Sequence, residues 1–505
     1  MKEKTQQRKT EEIELKLALP FSDRDDLIRR LKMSAPLARR KSITQNLSSI
    51  YYDTPEQDLL KRHIALRIRQ VDSRTGPVWI QTLKTGGEHG SALSIRGEWE
   101  AEVPSGDLSM DALRTSPWRE IDPDGTIYQT LAPCFSTQFE RTSWQVRAKD
   151  HSVVEVAFDR GQIQSGGQHA PICELEFELM AGVPSSLFDL AGRISQTVAV
   201  LPASVSKAER GYALALGTLD MPQRSRPPQL STDQAVMQAG QQVLREMFSQ
   251  FTRNMDILQS TDNPEVVHQA RVGWRRFKSA LRLFRPVLDQ DQIPEISTLQ
   301  PLLTSLSQLR DLDVALTETL PSIAHAYTCD DLDRQRIWHQ FEHSLTQAAQ
   351  IQRNTVRTAL QEPAVGTTLL RFTRFIEEMI SIGAGAAESK TRPLKPWAER
   401  RLQKLRNKLD QSIEGTADKR GQHRARILAK RLRYGLESMQ TILPKRLVKR
   451  WLKRATALQG SIGTSRDFQR TFLFASELGA EASLVEFLRG YGCGMDHRND
   501  NGGLS

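Results

Sequence analysis

Over its first 210 residues the chain alternates charged and apolar side chains with a period of two. In Glu12-Ile13-Glu14-Leu15-Lys16 the charged residues share one face, while Ile13, Leu15 and Leu17 share the other, as a strand requires. One such segment describes an ordinary solvated strand. The pattern recurs, however, with Arg67 and Arg69 opposite Leu66 and Ile68, and with Thr82 and Lys84 in Trp79–Lys84. Further on, Arg96, Glu98, Glu100 and Glu102 alternate, then Arg141, Ser143, Gln145 and Arg147, then Glu155, Ala157 and Asp159. Glu174, Glu176 and Glu178 put three carboxylates on one face, and Ser204–Arg210, read as a last strand, adds Lys207 and Arg210.

Seven or eight strands whose charged faces carry both signs predict a closed barrel with a polar interior and an apolar exterior. Carboxylates and bases crowded into one lumen are complemented by a multivalent cation and a polyanion. Triphosphate with magnesium or manganese meets that demand.

Taken together, Glu12–Lys16, Tyr51-Tyr52-Asp53-Thr54-Pro55, Leu66–Arg69, the Arg141 strand, the Glu174/Glu176/Glu178 strand and Ser206-Lys207-Ala208-Glu209-Arg210-Gly211-Tyr212 resemble the CYTH family, the triphosphate tunnel metalloenzymes. The resemblance covers residues 10–218. It implies an eight-stranded antiparallel tunnel that hydrolyses or cyclises triphosphates with Mg2+ or Mn2+, and the longer versions fused to a helical half resemble bacterial inorganic triphosphatases. Carried over, it implies Glu12, Glu14, Asp159, Glu174 and Glu176 as metal ligands, since hard cations take oxygen donors. Glu178, Glu155, Glu98 and Glu100 are second choices. Lys16, Arg67, Arg69, Lys84, Arg96, Arg141, Lys207 and Arg210 would hold phosphate oxygens, unless some of them only neutralise the tunnel's acids. The catalytic set would be Lys16, Glu12 and Glu14, serving in-line attack of water on the terminal phosphorus of triphosphate. No covalent nucleophile is needed, and the chain offers no Ser/His/Asp or Cys/His arrangement for one.

Residues 219–232 hold three prolines and no apolar periodicity, which reads as a linker. From Asp233 the apolar spacing turns helical, through Val236, Val243, Leu244, Met247, Phe248 and Phe251. His268–Lys278 matches His423–Arg433 at an offset of 155 residues, and Arg310-Asp311 matches Arg466-Asp467 at 156. Two copies of one helical unit about a pseudo-twofold axis are expected. His268, Arg271, Arg275, Lys278, Arg282 and Arg285 fall on one side of a helix, and His423, Arg426, Lys430 and Arg433 repeat the first four positions. A single basic stripe is ordinarily a solvated face; its duplication argues for a polyanion site.

Charge counts sharpen this. Residues 395–454 hold nineteen Lys and Arg against five Asp and Glu, an excess of fourteen in a chain whose net charge is +10 and whose isoelectric point is about 9.4. Like charges at that density repel unless a polyanion offsets them. Both His-x-x-Arg-x-x-x-basic helices and Leu309-Arg310-Asp311-Leu312-Asp313 resemble the CHAD family, the conserved histidine α-helical domain, over residues 233–492. That resemblance implies binding of inorganic polyphosphate and association with its granules. The second copy reads Arg466-Asp467-Phe468-Gln469 and lacks the acid matching Asp313.

The expected architecture is therefore multidomain α+β: an N-terminal eight-stranded antiparallel β-barrel tunnel with flanking helices, and a C-terminal all-α bundle with an internal two-fold repeat. Residues 1–9 read as a polar leader and 493–505 as a tail. No run approaches the roughly eighteen apolar residues of a membrane helix. Cys134, Cys173, Cys329 and Cys493 lack metal or disulfide spacing, which fits reduced thiols in the cytoplasm. Aromatics form only 6% of the chain and do not interleave with the stripe bases, which argues against single-stranded nucleic acid as a partner. Two other readings stay open: a non-catalytic scaffold binding granules or nucleic acid, and an adenylate cyclase, thiamine triphosphatase or other organic triphosphatase on the same tunnel. Oligomeric state is left open by the sequence.

Overall fold

The computed structural model describes residues 11–20, 24–73, 76–87, 90–382, 393–414, 419–460 and 463–501. It divides into two compact units, one formed by Met1–Met221 with Leu360–Glu378 and the other by Pro222–Ala359 with Met379–Ser505. The leader read at residues 1–9 lies outside the described residues.

Eight strands close the barrel of the first unit: β1 (Glu11–Ala18), β2 (Ser42–Asp53), β3 (Ala65–Ser73), β4 (Gly76–Lys84), β5 (Leu93–Val103), β6 (Ala132–Arg147), β7 (Val153–Ser165) and β8 (Gln168–Ala181). Their order is β5-β4-β3-β2-β6-β7-β8-β1, every pairing is antiparallel, and β1 returns to β5. A two-residue β9 (Leu201–Pro202) adds to the far end of β1. Closure removes free sheet edges and turns one face of every strand inward.

The inward face begins as the alternation predicts, with Glu12, Glu14 and Lys16 on β1 and Glu174, Glu176 and Glu178 on β8. The outward apolar faces are covered by helices. Leu15, Leu17, Trp144, Val156, Leu175 and Phe177 pack under α1 (Arg24–Met33) and α5 (Ser185–Ile194) through Leu27, Leu31, Leu187 and Leu190. Leu66 and Leu83 pack under Leu59 of α2 (Asp58–Lys61), Trp118 of α3 (Trp118–Ile121) and Ile127 of α4 (Thr126–Thr130).

Two expectations are corrected here. Ser204–Arg210 is no strand: Lys207–Ala215 forms α6, begun by a capping box in which Ser206 Oγ accepts from Glu209 N and Glu209 Oε2 accepts from Ser206 N at 2.8 Å. The Ser-x-x-Glu spacing of such a box was present in the sequence and outweighs three residues of alternation. Nor is the lumen polar throughout. Leu47, Tyr51, Phe135, Phe139, Ile163 and Ile172 stand on the inward faces beyond the charged stretch and pack against Tyr212 and Leu214 of α6, so one end is closed by an apolar plug. Gly211 makes the approach possible, since a Cβ there would meet the Phe135 ring at 2.1 Å. Conversely, the outward residues Asn46, Gln70, Gln138 and Gln162 make a polar exterior where no helix covers the sheet.

Residues 360–378, within the stretch read as helical domain, complete the first unit. Leu370 joins its apolar core, Thr367 Oγ1 donates to Ser195 O at 3.0 Å, and Gly366 lies so close to Val200 O that a Cβ would come within 2.1 Å.

The second unit is all helix. It contains α7 (Val236–Ile257), α8 (Pro264–Phe284), α9 (Gln300–Val314), α10 (Leu320–Thr328), α11 (Leu332–Leu360), the end of α12 (Pro363–Ile382), α13 (Leu394–Glu414), α14 (Lys419–Met439), α15 (Lys445–Gly460), α16 (Gly463–Glu477) and α17 (Ala482–Asn501). The α8 start is set by Asn263, whose Oδ1 accepts from Glu265 N at 2.9 Å, with Pro264 in the first turn. Phe248, Phe251, Trp274 and Phe277 stack between α7 and α8. No helix among the described residues is long and apolar enough to cross a membrane.

Candidate functional site

The charged stretch of the barrel surrounds a cavity of about 410 Å3. Ten of the residues singled out from the sequence line it: Glu12, Glu14, Lys16, Arg67, Arg69, Lys84, Arg96, Arg141, Glu176 and Lys207. The second-choice acids Glu98, Glu100, Glu155 and Glu178 line it too. Asp159 and Glu174 lie behind this wall, at 0% and 2% exposure. Arg210 is held away from it, its guanidinium donating to Pro171 O and standing 3.6 Å from Glu174.

Strand register explains how the groups meet. Arg141 pairs with Asp159, which pairs with Glu174, while Lys16 pairs with Glu176. Lys207 enters from the first turn of α6. The result is one acid cluster, Asp159, Glu174 and Glu176, whose oxygens lie within 4.8 Å of one another. Its charge is met by Lys207 (2.6 Å from Asp159), Lys16 (2.5 Å from Glu176) and Arg141 (2.7 Å from Asp159). Burial alone would raise the Asp159 and Glu176 pKa values, but the surrounding bases outweigh it and hold both below the usual range. By the same balance Lys16, Arg141 and Lys207 are held above theirs, against desolvation.

A second acid group is served less evenly. Glu12 takes Lys84 at 2.9 Å and Arg96 at 2.7 Å, which overcome burial and hold its carboxyl well down. Glu14 receives Arg96 at 2.9 Å on Oε2 only; Lys16 lies 3.2 Å from Oε1, yet that buried oxygen accepts no hydrogen bond. Burial, reinforced by Glu176, raises its pKa. Glu178 stands directly opposite Glu14 in the β1–β8 register and Glu155 opposite Glu178 in β7–β8, a row of three carboxylates across three strands. Burial, and then the negative charge of Glu12, push Glu178 up to about 7. Like charges placed opposite one another repel.

This row is a candidate place for a divalent cation beside the Asp159, Glu174 and Glu176 cluster. Glu14 Oε1 is a hard oxygen donor without a hydrogen bond, and its neighbours lack enough positive charge. Asp159, Glu174 and Glu176 offer the right donors too, though their positive complement comes from two lysines and an arginine. The five predicted ligands thus fall into two groups, and Glu178 belongs with Glu14.

At the plugged end one cation, Arg69, is under-compensated instead, while Tyr51, Glu100 and Glu98 hold the Arg67 pKa above its ordinary value against burial. Arg67 lies 3.8–4.0 Å from Glu100 and Glu98. Arg69 bonds Ser49 Oγ at 3.2 Å and has no carboxylate within 4.0 Å among the described residues; burial, with Arg67 and Arg141 nearby, brings its pKa down to about 10. Tyr51 and Phe139, overlooked in the sequence, border these guanidiniums. Their signal was parity, since Phe139 shares the face of Arg141.

In the second unit, His268, Arg271, Arg275, Lys278 and Arg282 lie on α8, and Arg426, Lys430 and Arg433 on α14. His423 lies on α14 as well, its side chain outside the described residues. Arg271 pairs with Asp311 at 3.6 Å. Burial lowers Lys430 to about 8, helped by Arg275 of the facing stripe and by Arg426; it lowers Lys278 as well, alongside Arg282 and Arg275. Burial likewise brings Arg271 down to about 10.

The CYTH domain family matches residues 10–212 and the CHAD domain family residues 242–471. The inorganic triphosphatase of Haemophilus influenzae is 36% identical over 205 residues, covering 40% of this chain and 55% of that protein, so the chain spans about half the length of this relative. Among solved structures, the CHAD domain of the plant Ricinus communis is similar at 26% identity and a TM-score of 0.44, over 55% of this chain and 92% of that one. A Hippeastrum protein described as having a dominant triphosphatase activity is similar at 19% identity and a TM-score of 0.28, over 40% of this chain and 95% of that one. With both family matches in place, each in the expected half, the chain carries one CYTH domain and one CHAD domain.

Proposed function

We propose that the protein hydrolyses inorganic triphosphate to diphosphate and phosphate with Mg2+ or Mn2+, and that its helical domain binds inorganic polyphosphate. The observation that carries the first part is the cavity itself, closed at one end, lined by the under-neutralised carboxylates Glu14 and Glu178 and by the under-neutralised guanidinium of Arg69. A condensed phosphate with a divalent cation supplies both missing complements. The likeness to an inorganic triphosphatase supports the same substrate.

Arg69, Arg67 and Arg141 would grip phosphate oxygens through their planar forks, with Lys84, Arg96 and Lys207 as point or forked charges around them. Glu12, Glu14 and Glu178, with Glu155 beside them, would hold the cation, and Asp159, Glu174 and Glu176 would fix Lys16, Lys207 and Arg141 in place. Bound there, the ion would spread phosphate charge and lower the pKa of a nearby water. Lys16, 3.2 Å from Glu14 and 2.5 Å from Glu176, is positioned to bridge the acids and the reacting phosphate.

The two basic stripes, drawn together at Arg275 and Lys430, support polyphosphate as ligand of the helical domain, and their matching positions support two copies of one unit. Phosphate release from triphosphate, ATP, thiamine triphosphate and long polyphosphate, with Mg2+ or Mn2+ and with chelator, tests the activity. Turnover of triphosphate that chelator leaves untouched would remove the metal, and preference for ATP or thiamine triphosphate would replace the substrate.

A further inference from the structure

Phe139 stands on β6 where the charged cavity meets the apolar plug, 5% exposed and two residues before Arg141 on the same face. On its apolar side it belongs with Leu47, Tyr51 and Phe135. Three cations converge on its ring: Lys207 Nζ lies 5.0 Å from the centroid, and Arg69 Cζ and Arg141 Cζ each lie 5.8 Å away. They come from β3, β6 and α6; the acids Asp159, Glu174 and Glu176 account for Arg141 and Lys207, but not for Arg69.

The partners of these cations differ. Arg141 and Lys207 spend hydrogen-bond donors on Asp159, Glu174 and Glu176. Arg69 has only Ser49 Oγ at 3.2 Å, with no carboxylate within 4.0 Å among the described residues. An aromatic face attracts a cation through its quadrupole and accepts none of the in-plane N–H groups. A carboxylate in the same place would occupy the guanidinium fork; a phenyl ring leaves it open toward the cavity.

We propose that Phe139 is a positioning residue for the phosphate ligand, acting through Arg69: its ring offsets the buried guanidinium charge without using its donors, so that the fork stays free for phosphate oxygens. The inference rests on the phosphate reading of the cavity and deepens it by naming what prepares the inner subsite. It also distinguishes Phe139 from Phe135 and Ile163, which serve the plug alone.

The test uses the full chain, with triphosphate turnover in divalent metal and calorimetric binding of triphosphate as readouts. Phe139→Leu keeps an apolar side chain but removes the ring; Phe139→Tyr keeps the ring and serves as the conservative rescue. The expected result is a KM, and a Kd, raised about tenfold in F139L with kcat within about twofold, and near wild type in F139Y. In an Arg69→Gln background the same F139L change is expected to cost less than about twofold, because the group it acts through is gone. F139L that lowers thermal stability but leaves KM and Kd unchanged overturns the proposal and leaves Phe139 a packing residue. An F139L effect undiminished in the Arg69→Gln background overturns it too. If F139L does not fold, F139Y and Phe139→Met decide: Met binding as tightly as Tyr overturns the proposal. Wild-type protein that neither turns over nor binds triphosphate overturns the phosphate reading itself, and this inference with it.

Discussion

The bases of the barrel and those of the helical unit sit in opposite electrostatic settings. Lys16, Arg96, Arg141 and Lys207 each touch two or more carboxylates, and these partners hold their pKa values above the ordinary despite deep burial. Arg271, Lys278, Arg426 and Lys430 are partly buried beside other bases, and theirs are lowered. The first set is a preorganised lattice in which a ligand must exchange with existing partners, so on the proposed reading binding would depend on geometry and on an added cation. The second is destabilised first by burial and then by neighbouring bases, a strain that a dense polyanion would relieve. Arg69 is the barrel's member of the second kind, which is why the phosphate end of the cavity is placed beside it.

The sharpest way to break the comparison is at Glu14. Glu14→Gln is isosteric and removes the charge of the carboxylate whose Oε1 accepts no hydrogen bond. Given that a catalytic ion contributes several kcal/mol, triphosphate turnover is expected to fall by on the order of 100-fold. Because burial and Glu176 already disfavour that charge, the melting temperature is expected to hold or rise. Steady-state phosphate release and thermal unfolding measure the two; a variant with wild-type turnover removes Glu14 from the ion's site.

A smaller effect belongs to the stripes. Arg271→Ala with Arg426→Ala should weaken long-polyphosphate binding roughly tenfold and flatten its salt dependence by about 1.5 units of log–log slope, as loss of two phosphate contacts implies. Triphosphate turnover should stay within twofold. Titrations at several salt concentrations give the slope, and equal loss of binding and turnover would collapse the distinction between the two basic regions.

Much of this was legible in the sequence because strand parity is a strict rule. Glu12, Glu14 and Lys16 had to share a face; pairing with β8 then set Glu14 opposite Glu178 and Lys16 opposite Glu176, and closure onto β5 set Glu12 opposite Arg96. Parity says nothing, however, about which acid meets which base. That needed the register, which separated Glu14 and Glu178 from Asp159 and Glu174 and withdrew Arg210 from the cavity. Parity also marked Phe139 and Tyr51 as inward, but a reading weighted toward charge passed over them. Ser206–Glu209 was misread because the run from Ser204 to Arg210 fits a strand as well as a helix, and the capping box decides between them. The role of residues 360–378 was invisible: Gly366, Thr367 and Leu370 match the barrel unit only through contacts with Val200 and Ser195, which no local pattern encodes.

The subtlest contrast is in pH. Burial, with Arg275 and Arg426 nearby, brings the Lys430 pKa down to about 8. A bound polyanion favours its charged form, so affinity for polyphosphate is expected to be fully developed below pH 8 and to fall as pH rises through it. The decline should be a few-fold, within the limit of tenfold per pH unit that one proton sets. Lys278, lowered for similar reasons, acts in the same direction. The unliganded fold has the opposite trend: between about pH 8 and the ordinary lysine value near ~10.4, the unfolded chain keeps a proton that folded Lys430 has lost, so its contribution to stability rises with pH. The barrel's Asp159 and Glu176 contribute at the other end of the scale. Their depressed pKa values add stability above the ordinary carboxylate range near ~4, and that stability is lost as pH falls through the folded values. Binding isotherms at constant ionic strength from pH 6.5 to 9.5 (approximately) for wild type and Lys430→Arg read the first effect, since arginine stays charged throughout. A wild-type affinity that rises with pH, or a Lys430→Arg variant that keeps the full decline, would show that the stripes do not hold the strained charge assigned to them.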